Sequence, residues 1–211
     1  MKRVRHLFWD FDGTMYNSYP QISRAFLRGL EALGLDGLIT PEQLRTLLKH
    51  SVFQTCQWCA QRSGADAQAI LASYRAYHSQ EWDFPPYEGL SDTLKTLREN
   101  GFHHYLYTHR DEVAVEQLKR DGLWPLFEDA VIATDGFAHK PAPDALLALM
   151  ERNGLSAESC AMIGDRDLDI QAGHNAGMSG ILFDPEGFYP DEPAEMRCAS
   201  LDELAHKLLG A

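Results

Sequence analysis

Val4-Arg5-His6-Leu7-Phe8-Trp9-Asp10-Phe11-Asp12-Gly13-Thr14 is the stretch on which the reading of this chain turns. Its apolar run is too short for a helix of ordinary length and ends abruptly on acids. That pattern predicts a buried strand with functional groups at its C-terminal tip. Gly13 and Thr14 then break it. Lys2, Arg3 and Arg5 ahead of Leu7-Phe8-Trp9 look briefly like a secretion signal. The apolar segment is too short for one, and Asp10 and Asp12 end it. A cytoplasmic protein is expected.

Working outward, two textures follow. From Thr14 to Trp82 no strand pattern occurs. Ile22, Phe26, Leu27, Leu30 and Leu33 recur at helical spacing from Pro20, with Ser18 placed as an N-cap. Thr40-Pro41-Glu42 opens a second helix, and further helices are predicted from about Val52 to Arg62 and from Ala67 to Trp82. Pro85-Pro86 marks a break. Beyond it, helices alternate with short apolar strands at His104–Thr108, Ala130–Ala133, Ala161–Gly164 and Gly180–Phe183. The helices between them fall at Ser91–Asn100, Glu112–Arg120, Pro143–Arg152, Ile170–Ala176 and Leu201–Leu209. Such alternation predicts a parallel sheet covered on both faces. The expected fold is therefore α/β: a Rossmann-like three-layer core of residues 1–14 and 85–211, interrupted by an all-helical insert of residues 15–84. An insert after the first strand lies over the sheet edge where open α/β folds bind ligands.

Composition narrows the function. The 211 residues carry 19 Lys and Arg against 31 Asp and Glu, for a formal charge of −12. This argues against nucleic acid as a partner and against a polybasic membrane anchor. No apolar run approaches the roughly 18 residues of a membrane-spanning helix. Cys56 and Cys59 form a C-x-x-C, but inside a predicted helix and without a second ligand pair. They are read as buried packing thiols rather than a redox or zinc site.

The strand tips carry the chemistry. Asp10 and Asp12 follow the first strand, Thr108 a later one, and Asp165 with Asp169 another, while Lys140 follows Ala130–Ala133 through a loop. A parallel sheet brings such tips to one edge. Converging carboxylates require a positive charge among them, and a hard divalent cation such as Mg²⁺ is the simplest source. Lys140 supplies a second. Asp169 fits either a place beside that cation or the N-cap of the following helix.

Trp9-Asp10-Phe11-Asp12-Gly13-Thr14, the strand ending at Thr108, Lys140-Pro141-Ala142-Pro143 and Gly164-Asp165-Arg166-Asp167-Leu168-Asp169 occur in an order that resembles the haloacid-dehalogenase-like phosphohydrolases. The helical insert resembles the capped subgroup that includes phosphoglycolate phosphatases and β-phosphoglucomutase. The resemblance implies a Mg²⁺-dependent phosphatase acting on a small phosphorylated metabolite. It implies Asp10 as nucleophile, forming an aspartyl-phosphate, and Asp12 as general acid and then base. It implies Thr108 and Lys140 as ligands of the phosphoryl group, with Lys140 also neutralising Asp10. It places Asp10, the Asp12 carbonyl, Asp165 and Asp169 around Mg²⁺. The second acid, Asp12, separates phosphatases from dehalogenases. Two positions depart from the usual pattern. Asn17 stands where many relatives carry Asp. His109-Arg110 follows Thr108 where a small or amide residue is common, so His109 is expected to touch substrate. A phosphomutase would use the same core. A phospho-accepting receiver module shares the acid, Thr and Lys set, but it lacks the insert and carries its acceptor on a later strand. In the insert, Lys49, His50 and Ser51 lie near a turn that fits either a substrate-facing site or a solvated helix end.

Overall fold

The computed structural model describes residues 4–79 and 84–210. The chain divides into two compact units, one of residues 1–16 with 86–211 and one of residues 17–85.

The first unit is built on a six-stranded parallel sheet. Its strands are β1 (His6–Trp9), β2 (His103–Tyr107), β3 (Phe127–Val131), β4 (Cys160–Gly164), β5 (Ser179–Phe183) and β6 (Met196–Cys198), in the order β3-β2-β1-β4-β5-β6. The chain runs outward from β1 to β3 and then restarts on the other side of β1 at β4. That reversal beside β1 is where an open α/β sheet forms a crevice at its strand tips.

Alternation along β1 sends side chains to two faces, and both are buried. Phe8, paired with Tyr105 and Met162, packs with Leu146, Leu149 and Ala172 of the helices Asp144–Asn153 and Asp167–Asn175. Trp9 lies on the other face and donates its indole N–H to His104 Nδ1 at 3.0 Å. His104 Nε2 reaches the carbonyl of Leu94 at 3.0 Å, in the helix Leu90–Glu99. That helix packs beside the last one, Leu201–Leu209, through Thr93 Oγ1 and the Leu201 carbonyl. Burial on both faces explains why β1, β4 and β5 read as unbroken apolar runs.

The second unit is helical throughout: α1 (Tyr19–Ala32), α2 (Pro41–His50), α3 (Val52–Ser63) and α4 (Ala67–His78). Its core joins Phe26 and Leu30 to Leu44, Leu48, Ile70 and Tyr74. Thr40 and Gln43 close a reciprocal cap at the start of α2. Gly29 lets α1 approach α4 closely: a Cβ there would stand 2.9 Å from the Tyr74 backbone nitrogen. Ser73 Oγ donates to the Gly29 carbonyl across the same contact. Cys56 and Cys59 are buried on α3, and desolvation pushes the Cys56 thiol up to about 12, so it is an inert packing group.

Several elements differ from expectation. Ser18 occupies the N-cap position of α1 without capping it through its side chain. The helix expected to reach Trp82 ends at His78, and residues 80–82 lie outside the described ones. The strand expected at Ala130–Ala133 begins at Phe127 and gives way to a 3₁₀ turn at Ala133–Asp135. Strand β6 and the 3₁₀ turn Trp124–Leu126 were not foreseen. Lys49 is 4% exposed rather than solvated, with its ammonium 4.4 Å from the Tyr19 ring centre. Ser51 caps α3, and His50 is exposed. Among the described residues, no helix is long and apolar enough to cross a membrane.

Candidate active site

Asp10, Thr108 and Asp165 stand just past the strands β1, β2 and β4 of the sheet's centre. Asp10 follows β1, and its backbone N–H donates to the Ile163 carbonyl of β4 at 2.9 Å. Thr108 follows β2 and donates its N–H to the Val131 carbonyl. Asp165 follows β4. Asp169 lies in the first turn of the helix Asp167–Asn175. Asp10, Thr108, Lys140, Asp165 and Asp169 are all buried, the last two with no exposed surface.

Lys140 is the hub. Its Nζ donates to Asp10 Oδ1 at 2.7 Å and to the Tyr107 carbonyl at 3.1 Å, and it pairs with Asp169 Oδ1 at 2.8 Å. It also stands 4.5 Å from the Tyr107 ring centre. Burial would drive the proton off this ammonium, but Asp10 and Asp169 outweigh it and hold the group above its ordinary value. The N-cap of the following helix is Arg166, not Asp169, which stands at N3 and reaches back to the N-cap backbone. Its Oδ2 accepts from the Arg166 backbone N–H at 3.1 Å, while Oδ1 faces Lys140.

Carboxylate oxygens of Asp10, Asp165 and Asp169 all come within 4.8 Å of one another. Burial pushes the Asp10 carboxyl up to about 7, with Lys140 pulling the other way. For Asp169, burial also raises the carboxyl, but Lys140 and Arg166 prevail and hold it below the usual range. Asp10 Oδ2 is buried and has no hydrogen-bond partner among the described residues. A buried carboxylate oxygen left unsatisfied is costly. A cluster of hard oxygens with one such atom fits a divalent cation of the Mg²⁺ type.

Asp12 stands apart from this cluster. Gly13, at φ 77°, turns the chain back so that Asp12 bridges to Tyr16. The Asp12 carboxylate is gripped by Arg110. Nε lies 3.1 and 3.0 Å from its two oxygens, and Nη2 lies 2.6 Å from Oδ1. Thr108 Oγ1 accepts from the Arg110 backbone N–H at 3.1 Å. The His109 ring makes a contact within the chain: Nε2 accepts from the Lys140 backbone N–H at 2.9 Å. Desolvation, then Lys140 and His139, press His109 down to about 3, so its ring is neutral.

Sequence reasoning missed Arg110 as a partner of Asp12, although its place two residues after Thr108 had marked it as unusual. It missed Gly164 as well. A Cβ at that position would run into the side chain of Asp169, so the strand end has to be glycine for Asp169 to reach Lys140.

A pyrophosphatase, PpaX, of Halalkalibacterium halodurans is 29% identical over 179 residues, covering 83% of this chain and 81% of that one. A phosphoglycolate phosphatase of Vibrio parahaemolyticus is 28% identical over 190 residues, covering 84% and 82%. In three dimensions the chain is similar to a haloacid dehalogenase-like family protein of Streptococcus pneumoniae. That match has a TM-score of 0.84 at 17% identity and covers 98% of this chain and 99% of that one, a likeness of fold. A family model matches residues 7–183, from β1 to the end of β5, and the chain belongs to the haloacid dehalogenase-like hydrolases.

Proposed function

We propose that this hydrolase is a Mg²⁺-dependent phosphatase that releases phosphate from a small phosphorylated metabolite through an aspartyl-phosphate on Asp10. The observation that carries this reading is Asp10 itself. One carboxylate oxygen is held by Lys140 at 2.7 Å, and the other is buried without a hydrogen-bond partner among the described residues. That leaves one oxygen beside the Lys140 ammonium for attack and one for the cation.

One carboxylate oxygen of Asp10 attacks the phosphorus, forming the aspartyl-phosphate as the bond from phosphorus to the leaving oxygen breaks. Lys140 offsets charge on Asp10 and on the phosphoryl group, and the Thr108 hydroxyl supports that group. Asp12 supplies a proton to the leaving oxygen, and later accepts one from the water that frees Asp10. Asp10, Asp165, Asp169 and the Asp12 carbonyl are the groups that would hold Mg²⁺. When bound, Mg²⁺ supplies positive charge against the phosphoryl oxygens and the clustered carboxylates. The helical unit is assigned the part of a cap that limits access of water. The names of the two relatives support small phosphate compounds with anionic leaving groups as the first substrates to try.

The test is turnover of p-nitrophenyl phosphate, inorganic pyrophosphate and 2-phosphoglycolate with Mg²⁺, read as released phosphate. Turnover that disappears in Asp10→Asn supports the reading. Undiminished turnover in that variant, or conversion of a sugar 1-phosphate to its 6-phosphate without phosphate release, overturns it.

A further inference from the structure

The ring of His109 has a partner that a substrate contact would not require. Its Nε2 accepts the backbone N–H of Lys140 at 2.9 Å, across 31 positions of sequence. An acceptor nitrogen carries no proton, so in the neutral ring the proton sits on Nδ1. The ring is fixed on two sides, edge-on to His139 with centroids 4.4 Å apart and edge-on to Tyr107 at 6.0 Å.

Lys140 needs such an anchor. It follows the 3₁₀ turn Ala133–Asp135 in a loop of exposed residues, Thr134 to His139. Yet its ammonium must meet Asp10, Asp169 and the Tyr107 carbonyl together in a fully buried place. The next residues are tied separately: Asn175 Nδ2 donates to the Pro141 carbonyl at 2.9 Å, and the Ala142 N–H to the His139 carbonyl at 3.0 Å. His109 ties the backbone of Lys140 itself. Since Tyr107 and His109 flank Thr108, the tip of β2 holds Lys140 at both ends, carbonyl to ammonium and imidazole to backbone.

We propose that His109 is a positioning residue, which fixes the main chain of Lys140 so that its ammonium stays in register with Asp10. This rests on the roles proposed above for Asp10 and Lys140. It replaces direct contact with substrate as the reason for a histidine at this position.

Two variants and one spectrum test it. His109→Phe keeps an aromatic ring against His139 and Tyr107 but removes the acceptor. His109→Gln restores an acceptor at similar reach. With Mg²⁺ and p-nitrophenyl phosphate, kcat/KM is expected to fall about 10- to 100-fold in His109→Phe, the scale of a displaced catalytic group. It is expected to return to within about fivefold of the parent in His109→Gln. In the unaltered ¹⁵N-labelled protein, Nε2 should be unprotonated and coupled to the Lys140 amide nitrogen, and should stay so when inorganic phosphate and Mg²⁺ are added. A His109→Phe enzyme within about twofold of the parent overturns the proposal. So does a His109→Gln enzyme no better than His109→Phe, or a proton on Nε2. The spectrum decides the matter if His109→Phe does not fold. Asp10→Asn and Lys140→Ala are measured alongside. If both keep full turnover, the reading of the site fails, whatever His109 does. If both lose it and His109→Phe does not, this inference alone fails.

Discussion

Arg110 grips Asp12 with a fork: Nε touches both carboxylate oxygens at 3.1 and 3.0 Å, and Nη2 adds a contact of 2.6 Å to Oδ1. The guanidinium is nearly enclosed and lies 5.6 Å from the Phe11 ring centre, while its backbone is tied to Thr108 Oγ1 and Ala133. It is a fixed clamp, and it holds an ionised carboxylate in one orientation. In the mechanism proposed above, ionised Asp12 is the form that draws a proton from water when Asp10 is freed. Arg110→Met, which keeps an unbranched stem without the guanidinium, is therefore expected to lower kcat about tenfold. For p-nitrophenyl phosphate, whose leaving group needs no proton, kcat/KM should change less. Arg110→Lys should fall between the two, because a point charge replaces a fork. Steady-state kinetics on the three proteins check this, and equal loss in both parameters would show that the fork serves folding instead.

The Asp10 carboxyl, pushed up to about 7 mainly by burial, ties the proposed binding of Mg²⁺ to pH. A cation beside it favours the ionised form, so Mg²⁺ binding at pH 7 should release up to about half a proton per site. Mg²⁺ affinity should weaken as pH falls below 7. Calorimetry in two buffers of different ionisation heat measures the released proton directly. Chelation with EDTA should abolish phosphate release and leave the sheet folded, because Lys140 and Arg166 still offset part of the charge around Asp169.

His104 gives the fold an acid-sensitive point away from the site. It is fully buried, accepting from Trp9 at Nδ1 and donating to the Leu94 carbonyl from Nε2, and burial presses it down to about 4. A folded value below the unfolded one, near 6.5, means that its contribution is intact above pH 6.5. That contribution is lost progressively as pH falls through about 4. The loss should reach about 2–3 kcal/mol at pH 4.5. Urea unfolding at pH 7 and 4.5 measures it. His104→Gln, which cannot take up the proton, should show a shallower fall while starting from a less stable protein.

What could be read from the chain beforehand follows from where each segment sits in the sheet. β1, β4 and β5 are covered on both faces, and their apolar runs announce them. The two misread strands, β3 and β6, are the two edges. An edge strand tolerates charge, so Phe127-Glu128-Asp129-Ala130-Val131 and Met196-Arg197-Cys198 do not look like strands. The carboxylates and Lys140 were legible because topology alone takes strand tips to one edge. Arg110 and His109 were not, because their partners are chosen by side-chain reach across 98 and 31 positions. Lys49, left open between a substrate-facing turn and a solvated helix end, was not legible for a simpler reason. Lysines are usually solvated, and only packing against Tyr19 shows that this one is not.

Gly29 and Gly164 should separate stability from activity. A Cβ at Gly29 meets the Tyr74 backbone at 2.9–3.0 Å, and backbone cannot swing aside as a side chain can. Gly29→Ala should push α1 from α4 and cost about 1–3 kcal/mol, with kcat at low temperature little changed. A Cβ at Gly164 meets Asp169, whose carboxylate both reaches back to the N-cap backbone of the helix Asp167–Asn175 and pairs with Lys140. Displacing it breaks both contacts, leaving Lys140 to Asp10 and the Tyr107 carbonyl. Gly164→Ala should therefore lower kcat by about 100-fold. Its loss should exceed that of Gly29→Ala at any temperature where both are folded. Thermal melts paired with phosphate release at 10 °C would show it. An active Gly164→Ala enzyme would mean that Asp169 holds its helix and nothing more.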